Sequence, residues 1–452
     1  MMRADEIAGT VLARQRSARE MAERALTRID AARALNAVVT IDPERTRAEA
    51  DAVDARVAAG EALPLAGVPV VIKDNIWVGG WRITQGSKLF AGFKAPEDAI
   101  AVARLRHAGA VIVGIGATSE FACKGVTTSL LYGPTRHPHN PDLTPGGSSG
   151  GPAVAVAAGL VPLAIGTDAG GSSRRPPAHV GVVGFKPSYG AVPYGPGFAE
   201  AGWGISVVAP IAAHVEDARL AFEAMAGIDP RDPATFDLPK GDASQPLRMA
   251  FSPRLGLDVA VDDEVGSGLQ RAIDRLRAGG MPIADADPIW PPDLAEDAVM
   301  PLQHAGLAAL FGDAFRHDAT QFDPDIAKQI ERGLGLGGAD VAHALQASAR
   351  IARAFAAFFL DVDVLLAPTV PCVAWPLTQL GPTMIGGRPA SPRGHAVFTP
   401  FANHAGVPAI SIPCGRDAKG LPFGLQLIAA RGRDRLLLDV AAQTERVLAD
   451  RA

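Results

Sequence analysis

Residues 146–174 read GGSSGGPAVAVAAGLVPLAIGTDAGGSSR, two glycine- and serine-rich runs bracketing an apolar stretch. Within it, Pro152 to Gly159 has the alanine and valine content of a short helix with proline near its start, and Leu163 to Gly166 reads as a strand. Because each Gly/Ser run lies directly against an element signal, the glycines belong inside a packed domain. There they permit positive φ and close backbone approach, and do not serve as a flexible linker.

Working outward, Val70-Val71-Ile72 is an unbroken β-branched run after Pro69, the pattern of a short strand buried on both faces, with Lys73 at its end. Asp98 to His107 is expected to be a helix, Ala110 to Ile115 a strand and Val180 to Phe185 another strand. Such alternation argues an α/β sheet. Nearer the N-terminus, Ser17 and Glu20 have capping-box spacing ahead of Met21, Ala25, Leu26 and Ile29 on one helical face. Asp42 caps a second helix that begins at Pro43 and stops at Gly60. Gly227 to Pro246, rich in proline, aspartate and glycine, is the best candidate for a boundary or long surface connection. Beyond it come a strand at Leu247 to Phe251, a helix carrying Val265, Leu269, Ile273 and Leu276, alanine-rich helix from Leu294 to Leu360, and a strand at Val364 to Ala367. A single domain over 1–452 is expected, with a helical excursion at about 254–360 shaping a substrate pocket.

The chain has 452 residues, 48% hydrophobic and 20% charged, which supplies a large core and excludes a disordered protein. A net charge of −5, without runs of like charge, gives no nucleic-acid footprint. The start MMRADEIAGT is not a secretory signal, and the most apolar segment, Ala153 to Ile165, is short and broken by Pro162. No membrane contact and a cytoplasmic location are therefore expected. Cys123, Cys372 and Cys414 form no CxxC and are expected to be buried thiols. The ten histidines lack triad or metal spacing, HExxH is absent, and neither a metal nor another cofactor is expected.

Gly146 to Gly150 matches the nucleophile-elbow pattern G-x-S-x-G. An elbow needs a strand just before its serine, and His137 to Pro145, with three prolines, cannot pair in a central strand. A phosphate cradle is equally unsupported, since neither run carries the lysine of GxxxxGK[ST].

Several longer stretches, in order, carry a resemblance: Val71 to Asn75 (VIKDN), the GGSSGG run, Gly166 to Pro176 (GTDAGGSSRRP), Gly184 to Gly190, Phe398 to Phe401, Gly406 to Pro413 and Gly420 to Gln426. With them the chain resembles the amidase signature hydrolases. The resemblance implies an α/β/α sandwich around a large mixed β-sheet and hydrolysis of a carboxamide by a Ser-Ser-Lys triad. Carried over, Ser172 is the nucleophile, Ser148 the bridging serine behind a cis peptide, Lys73 the base, and the N–H groups of Ala169, Gly170, Gly171 and Ser172 the oxyanion hole. Asp168 and Arg174 are expected to pair and brace that loop.

Pro152 stands where many members carry serine, and Val180 where cysteine is frequent. Arg175 and Pro177 replace the apolar or small residues common after the nucleophile. For Arg175 two readings stand: a salt bridge or solvent-facing side chain, or a fork that receives a substrate carboxylate or carbonyl. The expected activity is hydrolysis of a small-molecule amide, with a homodimer as the default assembly. The alternatives are the amidase subunit of a glutamine-dependent tRNA amidotransferase, a serine esterase or aryl acylamidase, and an inactive binding protein. The short ending after Glu445 and Thr127 to Leu131, which lacks a Thr-Glu-Asn-Ser run, speak against the first. Intact Lys73, Ser148 and Ser172 speak against the last.

Overall fold

The computed structural model describes residues 2–239, 247–291, 294 and 297–449. Its centre is an eleven-stranded mixed sheet. In chain order the strands are β1 (Val38–Thr40), β2 (Pro69–Lys73), β3 (Val111–Gly116), β4 (Leu163–Asp168), β5 (Val183–Lys186), β6 (Val207–Ala212), β7 (Met249–Phe251), β8 (Ile283–Asp285), β9 (Val364–Pro368), β10 (Ala409–Arg416) and β11 (Pro422–Ala429). They lie in the order β1-β3-β2-β4-β6-β5-β10-β11-β9-β7-β8. Every residue of β2, β3, β4 and β6 is buried. Since successive side chains point to opposite faces, helices and loops must cover both sides of the sheet centre. Strands from before and after residues 227–246 join this one sheet. The last seven residues of that proposed boundary, 240–246, lie outside the described residues.

The N-terminal helices form where their caps predict. Ser17 accepts from the Glu20 N–H at 2.9 Å ahead of the helix Ala18–Ala31, and Asp42 accepts from the Arg45 N–H ahead of Pro43–Ala58. The reciprocal half of the Ser17 box is not made, because the Glu20 carboxylate turns to Arg16 and Arg24 instead. The expected strand from Val180 is corrected to a helix, Arg175–Val180, followed by a strand that starts only at Val183. Gly181, at φ +80°, ends that helix in the left-handed conformation and separates the two elements. The alanine-rich region resolves into three helices, Met300–His317, Pro324–Leu334 and Gly338–Phe358. Of the three cysteines, Cys372 is buried as expected, whereas Cys123 and Cys414 are partly exposed. Among the described residues no helix is long and apolar enough to cross a membrane.

Candidate active site

Strands β2 and β4 run parallel and adjacent, with Ile72 opposite Ile165, so Lys73 and Thr167 emerge together at their C-terminal ends. This is where open α/β sheets collect ligands, because the chain leaves the sheet there in loops. Lys73 is completely buried, and its Nζ donates to Ser148 Oγ and to Thr167 Oγ1, both at 2.9 Å. Asn75 Nδ2 donates to the same Thr167 oxygen at 3.0 Å. Ser148 follows the expected cis peptide, Gly147–Ser148, just before the helix Gly150–Ala157.

Burial pulls Lys73 down to about 7, against the weaker attraction of Asp168. Near neutral pH the amine is therefore available as a base, which an exposed lysine is not. Asp168 leaves Lys73 uncompensated because its carboxylate is spent on Arg174. Arg174 Nε and Nη2 donate to its two oxygens at 3.0 Å each, and both side chains are fully buried. Arg174 further donates to Thr399 O, Gln426 Oε1 and Asn403 Oδ1. Burial alone would raise Asp168, but the Arg174 charge and hydrogen bonds hold it well below the usual carboxylate range. Removing one partner of such a pair strands the other's charge, so Asp168→Ala is expected to cost about 3–5 kcal/mol of stability. A urea midpoint lowered accordingly would show it; an unchanged midpoint would deny the brace.

The loop 169–172 is held by this cluster. Thr399 Oγ1 donates to Gly170 O at 2.8 Å, and Asn403 Nδ2 to Asp168 O at 2.9 Å. Gly171 takes φ +111°, and a Cβ there would collide with Thr399 Oγ1. Its N–H donates to Asp168 Oδ1 at 2.6 Å, so one of the four expected oxyanion donors is engaged inside the protein. Ala169, Gly170 and Ser172 line the adjoining cavity, and their N–H groups meet no acceptor among the described residues.

Ser172 stands where two cavities meet. The larger, about 330 Å³, is also lined by Arg175, Gln303, Lys328, Arg393 and His395. The smaller, about 50 Å³, holds Ser148, Thr167 and Asn75. No hydrogen bond joins Ser148 Oγ to Ser172 Oγ here, although both face the smaller cavity, and catalytic contacts of this kind commonly tighten only with substrate bound.

Arg175 is neither solvent-facing nor in a salt bridge among the described residues. It is 6% exposed, Nη1 lies 3.2 Å from His395 Nδ1, and Nε is buried without a partner. Burial, then the Arg393 charge, pulls it down to about 9, which leaves it cationic at neutral pH. Burial and the Arg175 charge hold His395 well below its ordinary value, so its ring is neutral and Nδ1 accepts. Sequence reasoning assigned no role to Thr167, Asn75 or His395. Asn75 and Thr167 lie within the VIKDN and GTDAGGSSRRP stretches, and His395 lies three residues before Phe398, with no local signal that assigns it a role.

A buried lysine on a serine, beside a glycine loop with free N–H groups, is a set of groups that can support acyl transfer on an α/β sheet. The chain belongs to the amidase family, whose model matches residues 20–438, and it is an amidase signature enzyme acting on C–N bonds. Its relatives include glutamyl-tRNA(Gln) amidotransferase A subunits. That of Cupriavidus metallidurans is 35% identical over 96% of this chain and 95% of the relative. The corresponding protein of Deinococcus deserti is 36% identical over 98% and 96%. Among solved structures, a bacterial aryl acylamidase of the amidase signature enzymes superposes with a TM-score of 0.91 at 28% identity, over 99% of this chain and 96% of that one.

Proposed function

We propose that the protein is a serine amidohydrolase of small-molecule carboxamides that works through an acyl-enzyme on Ser172. The observation that carries this reading is the buried Lys73 amine on Ser148 Oγ, with an ammonium destabilised enough to be neutral near pH 7. In the reaction, Ser172 Oγ bonds to the amide carbon while its proton passes through Ser148 to Lys73. The carbonyl oxygen, gaining negative charge, is met by the N–H groups of Ala169, Gly170 and Ser172. The C–N bond then breaks as the proton returns through Ser148 to the nitrogen. Water, deprotonated by the same relay, cleaves the ester to a carboxylate and regenerates Ser172.

Arg175, cationic and lining the larger cavity, is the anchor for a carboxylate or carbonyl of the acyl part. Arg175→Met is expected to raise KM for an acid amide by roughly tenfold, about 1.4 kcal/mol, with little change for a neutral amide. Equal losses on both substrates would assign Arg175 to structure alone. Within this proposal the chain is one catalytic unit in the cytoplasm, a homodimer without direct nucleic-acid contact.

The full-length similarity to amidotransferase A subunits supports a second reading, in which the chain hydrolyses glutamine within a larger assembly. The deciding experiment is turnover of acid amides, neutral amides and glutamine by the purified chain alone. Unaided hydrolysis of a simple amide is expected. Silence on every amide, relieved only by partner subunits, would establish the second reading.

A further inference from the structure

Residues 119–127 run between the helical excursion and the catalytic serines, outside every stretch that carries the family resemblance. Phe121 and Ala122 take φ +51° and +60° in succession. Two neighbouring non-glycine residues in the left-handed region are unfavourable, so the segment keeps this shape only where its surroundings impose it.

The helices Met300–His317 and Pro324–Leu334 supply much of that constraint. Lys124 Nζ donates to Asp323 Oδ2 at 2.7 Å, in an ion pair whose side chains are 4% and 8% exposed. The Asp323 N–H donates back to Glu120 Oε2 at 2.7 Å, and Ser87 Oγ donates to the other Glu120 oxygen at 2.7 Å. Between these anchors, Gln303 and Gln329 donate to Cys123 O at 3.3 and 3.2 Å, and Phe121 stacks on Phe311 with ring centres 3.9 Å apart. Desolvation offsets much of the attraction in a buried ion pair, so the consequence of Lys124 and Asp323 is chiefly geometric.

The other end of the segment reaches the proton relay. Thr127 Oγ1 donates to Gly146 O at 2.8 Å and accepts from the Gly150 N–H at 2.9 Å, so it spans the run that carries Ser148. A Cβ on Gly147 would come within 2.7 Å of Val126 N and C, so backbone lies directly against backbone there. Movement of 119–127 would therefore carry Gly147 and Ser148 with it and disturb the 2.9 Å contact of Ser148 Oγ with Lys73.

We propose that Asp323, Lys124 and Glu120 are positioning residues: the helix pair clamps residues 119–127, and through Thr127 that segment holds Ser148 in line between Lys73 and Ser172. This rests on the Ser172 acyl-enzyme reading, and it gives the helix pair a part in the chemical step beyond walling the cavity.

Asp323 borders neither cavity at Ser172, so changing it separates positioning from substrate contact. Asp323→Ser keeps an N-cap for Pro324–Leu334 while removing the carboxylate, and Asp325, 3.5 Å from the same ammonium, leaves Lys124 a counter-charge. The probe is a fluorophosphonate on Ser172, with the maximal labelling rate and the half-saturating concentration read separately. Expected is a maximal rate at least about tenfold below the parent, with the half-saturating concentration within about twofold. Asp323→Asn takes its place should the serine variant fail to fold. Thr127→Val should slow labelling at least as much, and Thr127→Ser, which keeps the hydroxyl, should restore it. Adding the Asp323 substitution to Thr127→Val should cost little more, because both break one line of support. A folded Asp323 variant that labels at the parental maximal rate would overturn the inference, as would losses that multiply in the double variant. A parent that hydrolyses amides without labelling at Ser172 would instead overturn the acyl-enzyme reading.

Discussion

Lys73→Ala is expected to lower kcat/KM on any amide substrate about ten-thousand-fold, near 5.5 kcal/mol of transition-state stabilisation, while the protein stays folded. The loss is large because, among the described residues, the lysine is the only base joined to Ser148. Thr167, its other neighbour, is a hydroxyl that needs the same help. The parent's kcat/KM should rise with pH through about 7, as the Lys73 ammonium of the free enzyme loses its proton, and then level off. Stability moves in the same direction. Between about 7 and its ordinary value of 10.5 the unfolded chain holds a proton on this lysine that the native chain does not, so unfolding becomes harder as pH rises across that window. Lys73→Met, which fills the space without the charge, should abolish activity and lessen the rise in this window, leaving the share that buried Lys186, also pulled down to about 7, contributes. A Lys73 variant retaining a tenth of the activity, or a parent rate that falls with pH through 7, would remove the lysine from the mechanism.

The candidate groups came from the family resemblance, and the local pattern could only place them beside strong element signals. Lys73 ends an apolar run that can only be a buried strand, and Ser148 and Ser172 sit in glycine runs pressed against a helix and a strand. The pairing of Asp168 with Arg174, expected with the resemblance, is present. What could not be read is long-range. Thr399, Asn403 and Gln426 reach Arg174 from more than 220 residues away, and no local pattern says which motif they brace. His395 comes to Arg175 by the same kind of closure. The engagement of the Gly171 N–H by Asp168 depends on the turn at φ +111°, which glycine permits without specifying. Edge strands of three residues, such as β1 and β8, are too short to show an alternation, and Val180 lost its strand to a helix because β-branched character is a weak prior beside a glycine cap.

The family resemblance and the cavity geometry constrain different things. Motif matches from 71 to 426 concern the sheet and the acid–base relay, and they are silent on the nitrogen substituent. The cavity walls come partly from Met300–His317 and Pro324–Leu334, helices that carry none of the motifs. Much of the cavity wall thus lies outside the stretches that carry Lys73, Ser148 and Ser172, so the resemblance does not specify what the cavity takes.

Ser172→Ala is expected to lower turnover about a millionfold, because it removes the nucleophile on which the acyl-enzyme forms. A fluorophosphonate should add to the parent once per chain, on the peptide that contains Ser172. Ser148 has a hydroxyl too, and it is the one in contact with the base, so it is the natural competitor for the label. Two features favour Ser172. Ser172 borders both cavities, whereas Ser148 is fully buried and borders only the smaller. The Ser172 N–H and those of Ala169 and Gly170 are unengaged beside it among the described residues, so an oxyanion formed at Ser172 would find donors. Ser148→Ala should therefore label slowly, still at Ser172, since the nucleophile remains but its proton has lost the way to Lys73. Label recovered on Ser148, or a Ser172→Ala protein that still takes it up, would exchange the roles of the two serines and restore a nucleophile in the GGSSGG run.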